Sequence, residues 1–312
     1  MDLKQLRALV TVAETGNVTR AAALLHVVQP AVSRQLRLLE QDMGTALFER
    51  GPHGMELTES GRTMVEYARR ILNEVTRAKA EIRPDQGVIG GIVTIGLLAS
   101  TSDLLATTLV SAVAARYPGV RLRISVGYAG HLMQWLEQGE VDVALLYDQK
   151  STPTVQVKPL LEESLWAVAP AAAGLRRNRP GTLARVARQP MVLPSAPHGL
   201  RAMIEQAANK AALDFNVVAE TNALSVQKAL VIEGHGWTIL PAVSVADDVA
   251  RGVLSAAPLA SPALLRKVAL TAPTNRQPTT SVRCVVAVLL ECVQAAVRDG
   301  QWANARWLGA AP

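Results

Sequence analysis

Polar side chains between residues 29 and 37 have the types and spacing needed to hydrogen-bond another molecule. Val32, Leu36 and Leu39 recur at helical intervals, so they should pack inward and leave the opposite side of the helix exposed. That opposite side carries Gln29, Ser33, Arg34 and Arg37. In the major groove of DNA, Arg hydrogen-bonds guanine and Gln hydrogen-bonds adenine. An ordinary solvated helix face would use the same residue types, so the neighbouring segments must decide.

The segments on either side of this helix favour a DNA-reading surface. A short helix over TRAAALL, capped by Asn17 or Thr19, comes before the break HVVQP. Pro30 is tolerated in the first turn of the next helix, where its missing N–H is no loss, and Gly44 ends that helix. The stretch LFERGPHGMELTESG predicts a small hairpin that can touch the DNA backbone. Residues 1–58 hold six Lys or Arg and six Asp or Glu, so local placement of charge rather than net charge must attract DNA.

A second group of polar residues could hold a small molecule. Ser100, Thr101 and Ser102 follow the apolar run GIVTIGLL, and a helix is expected from Asp103. Their hydroxyl groups and the free helix N–H groups would form an anion site, although the same hydroxyls could simply cap the helix. The loop PSAPHGLR adds Ser195, His198 and Arg201, of which Arg201 could instead pair with a surface acid, and Tyr147 and Asn222 complete the set. Because no acidic residue is among them, the expected ligand is a small anion such as a carboxylate.

Motifs for catalysis and for metal binding are missing from the sequence. It has no P-loop, no G-x-G-x-x-G opening a helix, no H-E-x-x-H and no G-x-S-x-G, and its five histidines are scattered. Cys284 and Cys292 stand eight residues apart in an apolar stretch, which indicates inert core thiols. We therefore expect no enzyme, no metal and no cofactor. The N-terminus is unlike a signal peptide and the run at 86–102 is too interrupted to span a membrane, which predicts a soluble, cytoplasmic protein without a membrane partner.

Two kinds of element must position these residues. A long amphipathic helix is expected from Thr58 to about Ile82, with an apolar stripe over Met64, Ala68, Ile71, Leu72, Val75 and Ala78. The stripe could pack on the same chain, but self-pairing in a dimer is favoured. A Pro/Gly-rich linker at 83–91 then leads into alternating strands and helices, which indicate a parallel, doubly wound α/β sheet in two lobes with a cleft between them.

The stretch TRAAALLHVVQPAVSRQLRLLEQDMGTALFER, followed by GMELTESG, resembles the winged helix-turn-helix of LysR-type transcriptional regulators. VDVALLY, LLEESLWAVAP, VLPSAPHGLR and GWTILP are similar to that family's effector-binding part, so the resemblance covers essentially the whole chain. VLPSAPHGLR also resembles the nitrogen assimilation control subgroup. The implied organisation is a winged helix-turn-helix at 1–58 (helix-turn-helix 18–37), a linker and dimerisation helix at 59–89, and an effector-binding domain of the periplasmic-binding-protein type at 90–312. Its first lobe would hold about 90–163 and 268–300, and its second about 164–267.

The resemblance also implies roles for individual residues. The DNA-binding residues would be Thr19, Gln29, Pro30, Ser33, Arg34, Arg37, Arg50 and His53, and the effector-binding residues would be Ser100, Thr101, Ser102, Tyr147, Ser195, His198, Arg201 and Asn222. Two residues depart from the family pattern. Val28 replaces the usual Ser and removes the expected cap of the recognition helix, and His53 replaces the usual Arg or Lys of the wing. The implied partners are double-stranded DNA with two-fold promoter sites, a small-molecule effector, further copies of the chain in a dimer of dimers (a homotetramer), and RNA polymerase as a candidate.

Two other functions remain open from the residues alone. A solute-binding protein would use the same α/β lobes, but it would need a secretion signal and would not need residues 1–89. An enzyme could use the cleft between the lobes, but the sequence offers no acid/base or nucleophile constellation.

Overall fold

The computed structural model describes residues 1–51, 54–82, 89–261 and 263–309. Contacts within the chain divide it into two units, one formed mainly by Met1–Gly87 and the other by Val88–Leu136 with Val141–Pro312. Each unit is built around apolar cores of its own.

The first unit is a helical head with a small hairpin. Its elements are α1 (Leu3–Thr15), α2 (Val18–Leu24), α3 (Gln29–Met43), β1 (Phe48–Gly51), β2 (Gly54–Leu57) and α4 (Glu59–Ile82). Of the two predicted caps for α2, Asn17 is the one used, since its side chain accepts hydrogen bonds from the backbone N–H groups of Thr19 and Arg20. Gly44 ends α3 as predicted, with a φ of 69° that glycine adopts without strain. The predicted hairpin pairs β1 with β2 in antiparallel register.

The long helix α4 uses its apolar stripe in two ways. Val65 and Ala68 are buried in the core of the head, and Met64, Ile71 and Leu72 pack against that core. The first half of the stripe therefore packs on its own chain, which the sequence analysis treated as the less favoured alternative. The helix is longer than the core it covers. Further along the stripe, Val75 is half-buried and Ala78 is exposed.

The second unit has the predicted α/β composition. Its helices are α5 (Ala99–Arg116), α6 (Ala129–Glu137), α7 (Leu183–Ala187), α8 (Gly199–Lys210), α9 (Leu224–Ile232), α10 (Ala246–Ala250) and α11 (Thr280–Arg298). Its strands are β3 (Gly90–Leu98), β4 (Gly119–Gly127), β5 (Val143–Tyr147), β6 (Val155–Pro170), β7 (Gly181–Thr182), β8 (Pro190–Leu193), β9 (Asn216–Glu220), β10 (Thr238–Pro241), β11 (Leu254–Ser261), β12 (Leu265–Pro273) and β13 (Ala305–Trp307).

The main sheet of the second unit is mixed rather than parallel as predicted, and a separate two-stranded sheet pairs β8 with β9 in parallel. β3 pairs in parallel with β4 and β5, but β12 is antiparallel to both β5 and β6. The 16-residue strand β6 pairs with β12 along its first part and with β10 and β11 along its second. Helices that alternate with strands indicate parallel pairs only where a helix crosses over between neighbours. β6 and β12 instead carry the chain out of one lobe and back.

The two lobes of the second unit are built around different main cores, a first core in the first lobe and a second core in the second lobe. A further apolar cluster around Leu132 and Leu146 packs in the first lobe. Leu161 belongs to the first core and Leu165 to the second, and the chain returns from Leu264 of the second core to Val268 of the first. Helix α11 is long and apolar enough, by length and composition, to cross a membrane. Its apolar face, which includes Cys292, is instead buried in the first core.

Candidate functional sites

One face of α3 presents polar side chains outward, and the other face packs into the head. Val32, Leu36 and Leu39 are buried as predicted, while Gln29, Pro30, Arg34 and Arg37 are exposed and Ser33 is half-buried. The Gln29 side-chain amide donates a hydrogen bond to the Ser33 hydroxyl at 2.9 Å, which links the first two turns of the face. Thr19 on α2 and Arg50 on β1 are also exposed, and His53 lies outside the described residues.

The start of α3 has no side-chain cap, as predicted from Val28. We expect the missing side-chain cap to destabilise α3 less than the loss of a cap usually does. Pro30 has no N–H to satisfy, and the N–H of Ala31 donates to the carbonyl of Val28 at 2.9 Å. The backbone therefore supplies a bond that a serine hydroxyl would otherwise supply.

A cleft between the two lobes of the second unit contains two adjoining cavities. The inner cavity is small, with a volume of about 50 Å³, and five of its lining residues are Ser100, Tyr147, His198, Asn222 and Arg266. The outer cavity, of about 380 Å³, is larger and more open, and it shares Asn222 with the inner one. Its lining includes Ser102, Asp103, Tyr128, His131, Trp135 and Lys228. Four of the predicted residues therefore meet at the inner cavity, and Ser102 lies at the outer one.

Arg266 is the cation of the inner cavity and is not among the residues predicted from the sequence. Its guanidinium donates from Nε to Glu163 at 2.6 Å and from Nη2 to the Ser100 hydroxyl at 3.1 Å, and it lies over the Tyr147 ring. Arg266 is 2% exposed and Glu163 is fully buried. Glu163 also accepts a hydrogen bond from the indole N–H of Trp302 at 2.8 Å. The result is a buried ion pair whose positive partner lines the cavity.

A sequence signal for this pair exists in the strand pattern. Leu264 just before β12 and Arg266 and Val268 within it alternate with exposed residues. Glu163 occupies the same kind of alternating buried position on β6. Arg266 and Glu163 are directly opposite each other in the antiparallel register. Opposite charges at buried, facing positions of neighbouring strands would have indicated the pair once the strand pairing was known.

His198 combines a structural role with a place in the cavity wall. It caps α8 by accepting a hydrogen bond at Nδ1 from the N–H of Leu200, at 3.1 Å. Burial lowers the pKa of His198, and the nearby charge of Arg266 lowers it further. Burial also raises the pKa of Tyr147 on the same wall. Both groups are therefore held in their neutral forms, so Arg266 supplies the charge of the inner wall.

Three predicted effector residues do not line either cavity. Helix α5 begins at Ala99 rather than at Asp103, so Thr101 falls inside its first turn, where it is fully buried and donates to the carbonyl of Leu98. Arg201 pairs with Glu205 and Glu220, at 2.5 and 2.8 Å, which is the alternative noted for it above. Ser195 is half-buried in its loop but is absent from the lining of both cavities.

These features define a class of protein: a helical head with an exposed polar recognition face, joined in one chain to a two-lobed α/β unit with a ligand-sized cleft. Residues 3–62 match the bacterial regulatory helix-turn-helix proteins of the lysR family, and residues 86–294 match the LysR substrate binding domain. The chain belongs to the LysR family of ligand-responsive, DNA-binding transcriptional regulators, which are not enzymes.

Relatives of known name and structure agree with this assignment. The HTH-type transcriptional regulator BbuR of Bordetella bronchiseptica is 30% identical over 97% of this chain and 93% of its own. The nitrogen assimilation regulatory protein nac of Klebsiella aerogenes is 29% identical over 82% of both chains. The crystal structure of CbnR, a LysR family transcriptional regulator, has a TM-score of 0.72 at 22% identity and covers 94% of this chain and 99% of its own. The likeness to CbnR extends to the fold of both units.

Proposed function

We propose that this regulator reads promoter DNA with α3 and senses a small anionic metabolite in the inner cavity. Residues 1–58 would bind DNA, residues 59–89 would mediate dimerisation, and residues 90–312 would bind the effector. Gln29, Pro30, Ser33 and Arg34 would face the major groove, while Thr19, Arg37, Arg50 and His53 would lie along the DNA backbone.

The position of Arg266 is the observation that supports an anion. Arg266 lines the inner cavity, whereas its counter-ion Glu163 is not among the residues that line it. A ligand in the cavity would therefore meet the positive end of the pair. Helix α5 begins at Ala99 and helix α8 follows its cap His198, and both of these residues line the cavity. A helix N-terminus favours negative charge.

We expect the outer cavity to prefer an anion less strongly than the inner cavity does. Lys228 pairs with Asp248 at 2.8 Å, and Asp103 contributes a carboxylate to the same wall. The rings of Tyr128, His131 and Trp135 lie close together there, with His131 stacked on Trp135 at 6.1 Å between centroids. The charged group of the effector would thus enter the inner cavity, and the outer rings would contact its organic part.

Calorimetry with carboxylates and their matched neutral amides tests the anion proposal. We expect a carboxylate to bind where its amide does not, and Ser100→Ala to weaken its binding by about tenfold through the loss of one hydrogen bond. Arg298→Ala is the control, because Arg298 is exposed, pairs with Asp299 and lies outside the lining of both cavities, so it should leave binding unchanged. Equal binding of acid and amide would contradict the proposal.

The accessible second half of the α4 stripe supports self-association through this helix. Two heads must be held about one helical turn of DNA or more apart to read a two-fold site. We expect Val75→Glu with Ala78→Glu to separate subunits, because the charges would be buried in the seam. Leu72 is unsuitable for this test because it packs on the head.

Sedimentation of the variants against wild type measures this effect. Thr63→Glu with Thr76→Glu is the matched control, because both residues are exposed and lie away from the apolar stripe of α4. An unchanged oligomer in the stripe variant would contradict a role for α4 in assembly. The proposed assembly is a dimer of dimers in the cytoplasm. RNA polymerase is the proposed partner that responds when this assembly binds the promoter.

A further inference from the structure

Val28 is an exposed apolar residue at the edge of the recognition face. It is 70% exposed, more than any other large apolar side chain in α1, α2, α3 and the loops that join them. It immediately precedes Gln29, the first residue of α3, and its backbone is extended. A β-branched side chain has few rotamers, so its two methyl groups are held in place without partners from the core.

Position 28 does not need a polar side chain to cap α3. The N–H of Ala31 already donates to the Val28 carbonyl, and Pro30 has no N–H. Beside Val28, Gln29 and Ser33 hydrogen-bond to each other. The beginning of α3 therefore places an apolar contact next to a pair of linked polar groups.

We propose that Val28 reads the 5-methyl group of a thymine in the operator. The role rests on the proposed docking of α3 in the major groove. Thymine is the ordinary DNA base that presents a methyl group there, and apolar side chains recognise it by contact. Phosphate contacts position a protein on DNA and base contacts specify the sequence, so a contact with one methyl group would contribute to specificity.

The test uses the full chain and a duplex obtained by selection from a random library. Each thymine of the selected half-site is replaced in turn by deoxyuridine, which keeps the base pair and removes only the methyl group. Dissociation constants are measured by fluorescence anisotropy for wild type, Val28→Ala and Val28→Ser. Val27→Ser is the matched control, since Val27 is 48% exposed and adjacent but lies one residue further from α3.

We expect one thymine per half-site whose replacement weakens wild-type binding about fourfold, the value for one buried methyl group. The ratio between thymine and deoxyuridine should fall to one in Val28→Ala and Val28→Ser and stay near four in Val27→Ser. A ratio that persists in the Val28 variants, or a selected site without a sensitive thymine, would overturn the assignment. Failure of α3 to dock at all is distinguished by Arg34→Ala, which would then bind like wild type.

Discussion

The recognition face of α3 and the inner cavity of the cleft differ in how the chain assembles them. The face comes from one helix, and most of its polar side chains are exposed. The cavity draws Ser100, Tyr147, His198, Asn222 and Arg266 from separate elements of both lobes. The chemistry of a one-helix face is thus set by local sequence, whereas the chemistry of the cavity depends on which polar groups the fold has already paired.

Removing a buried partner at the cavity should have the largest effect. Glu163→Ala leaves Arg266 buried without its counter-ion and should lower the free energy of unfolding by about 3–5 kcal/mol. Denaturant unfolding measures this loss. The neighbouring Glu162→Ala is the control, because Glu162 pairs at 3.0 Å with an exposed Arg306 and should lose under about 1 kcal/mol. Equal losses would mean that the cavity pair is no more constrained than a surface pair.

Changing the helix face should affect DNA and leave stability alone. Arg34→Ala would remove the proposed base contact and should cost about 1–3 kcal/mol of discrimination between the operator and unrelated DNA. Anisotropy with both duplexes measures that difference, and Arg7→Ala on the exposed side of α1 is the control. A loss of thermal stability in Arg34→Ala would show that the face is part of the packed structure after all.

The two helix starts of the head give a smaller contrast. Asn17→Ala removes two backbone hydrogen bonds from α2 and should lower the free energy of unfolding by about 1 kcal/mol. Val28→Ala removes no cap from α3 and should leave that free energy nearly unchanged. Circular dichroism during urea unfolding compares the two. An equal loss in both variants would contradict the backbone account of the α3 start.

The smallest expected effect is a pH dependence at the cavity wall. The pKa of His198 is lowered in the folded chain, so the unfolded chain takes up this proton first as the pH falls below the ordinary value of 6.5. The stabilisation associated with neutral His198 is therefore fully present above that pH. It is lost as the pH falls toward the pKa that His198 has in the folded chain. His198→Asn can still cap α8 and should show a flatter decline in melting temperature. Identical pH profiles would remove His198 as the cause.

The sequence predicts the features of the one-helix face better than the features of the cavity, which is assembled from separate elements. The helix-turn-helix, the Gly44 stop and the inward side of α3 follow from local periodicity, which the structure confirms. The antiparallel return of β12 could not be predicted, because strand pairing across the lobes has no local signature. Arg266 was missed for that reason, and Thr101 and Arg201 were assigned to a ligand although hydrogen bonds within the protein already engage them. A sequence does not show whether a hydroxyl or guanidinium group is hydrogen-bonded within the protein or free to bind a ligand.

The return of the chain through β6 and β12 also sets an order for synthesis on the ribosome. Leu165 leads into the second core and Leu264 ends it, so every residue of that core is translated before β12 and α11 appear. The first core needs Val268 of β12 and Val285 of α11, and it stays incomplete until those late residues emerge. The later lobe can therefore fold during translation while the earlier lobe waits, with β3 and α5 exposing apolar faces in the meantime. During that interval the apolar surface left exposed belongs to the first lobe and not to the second.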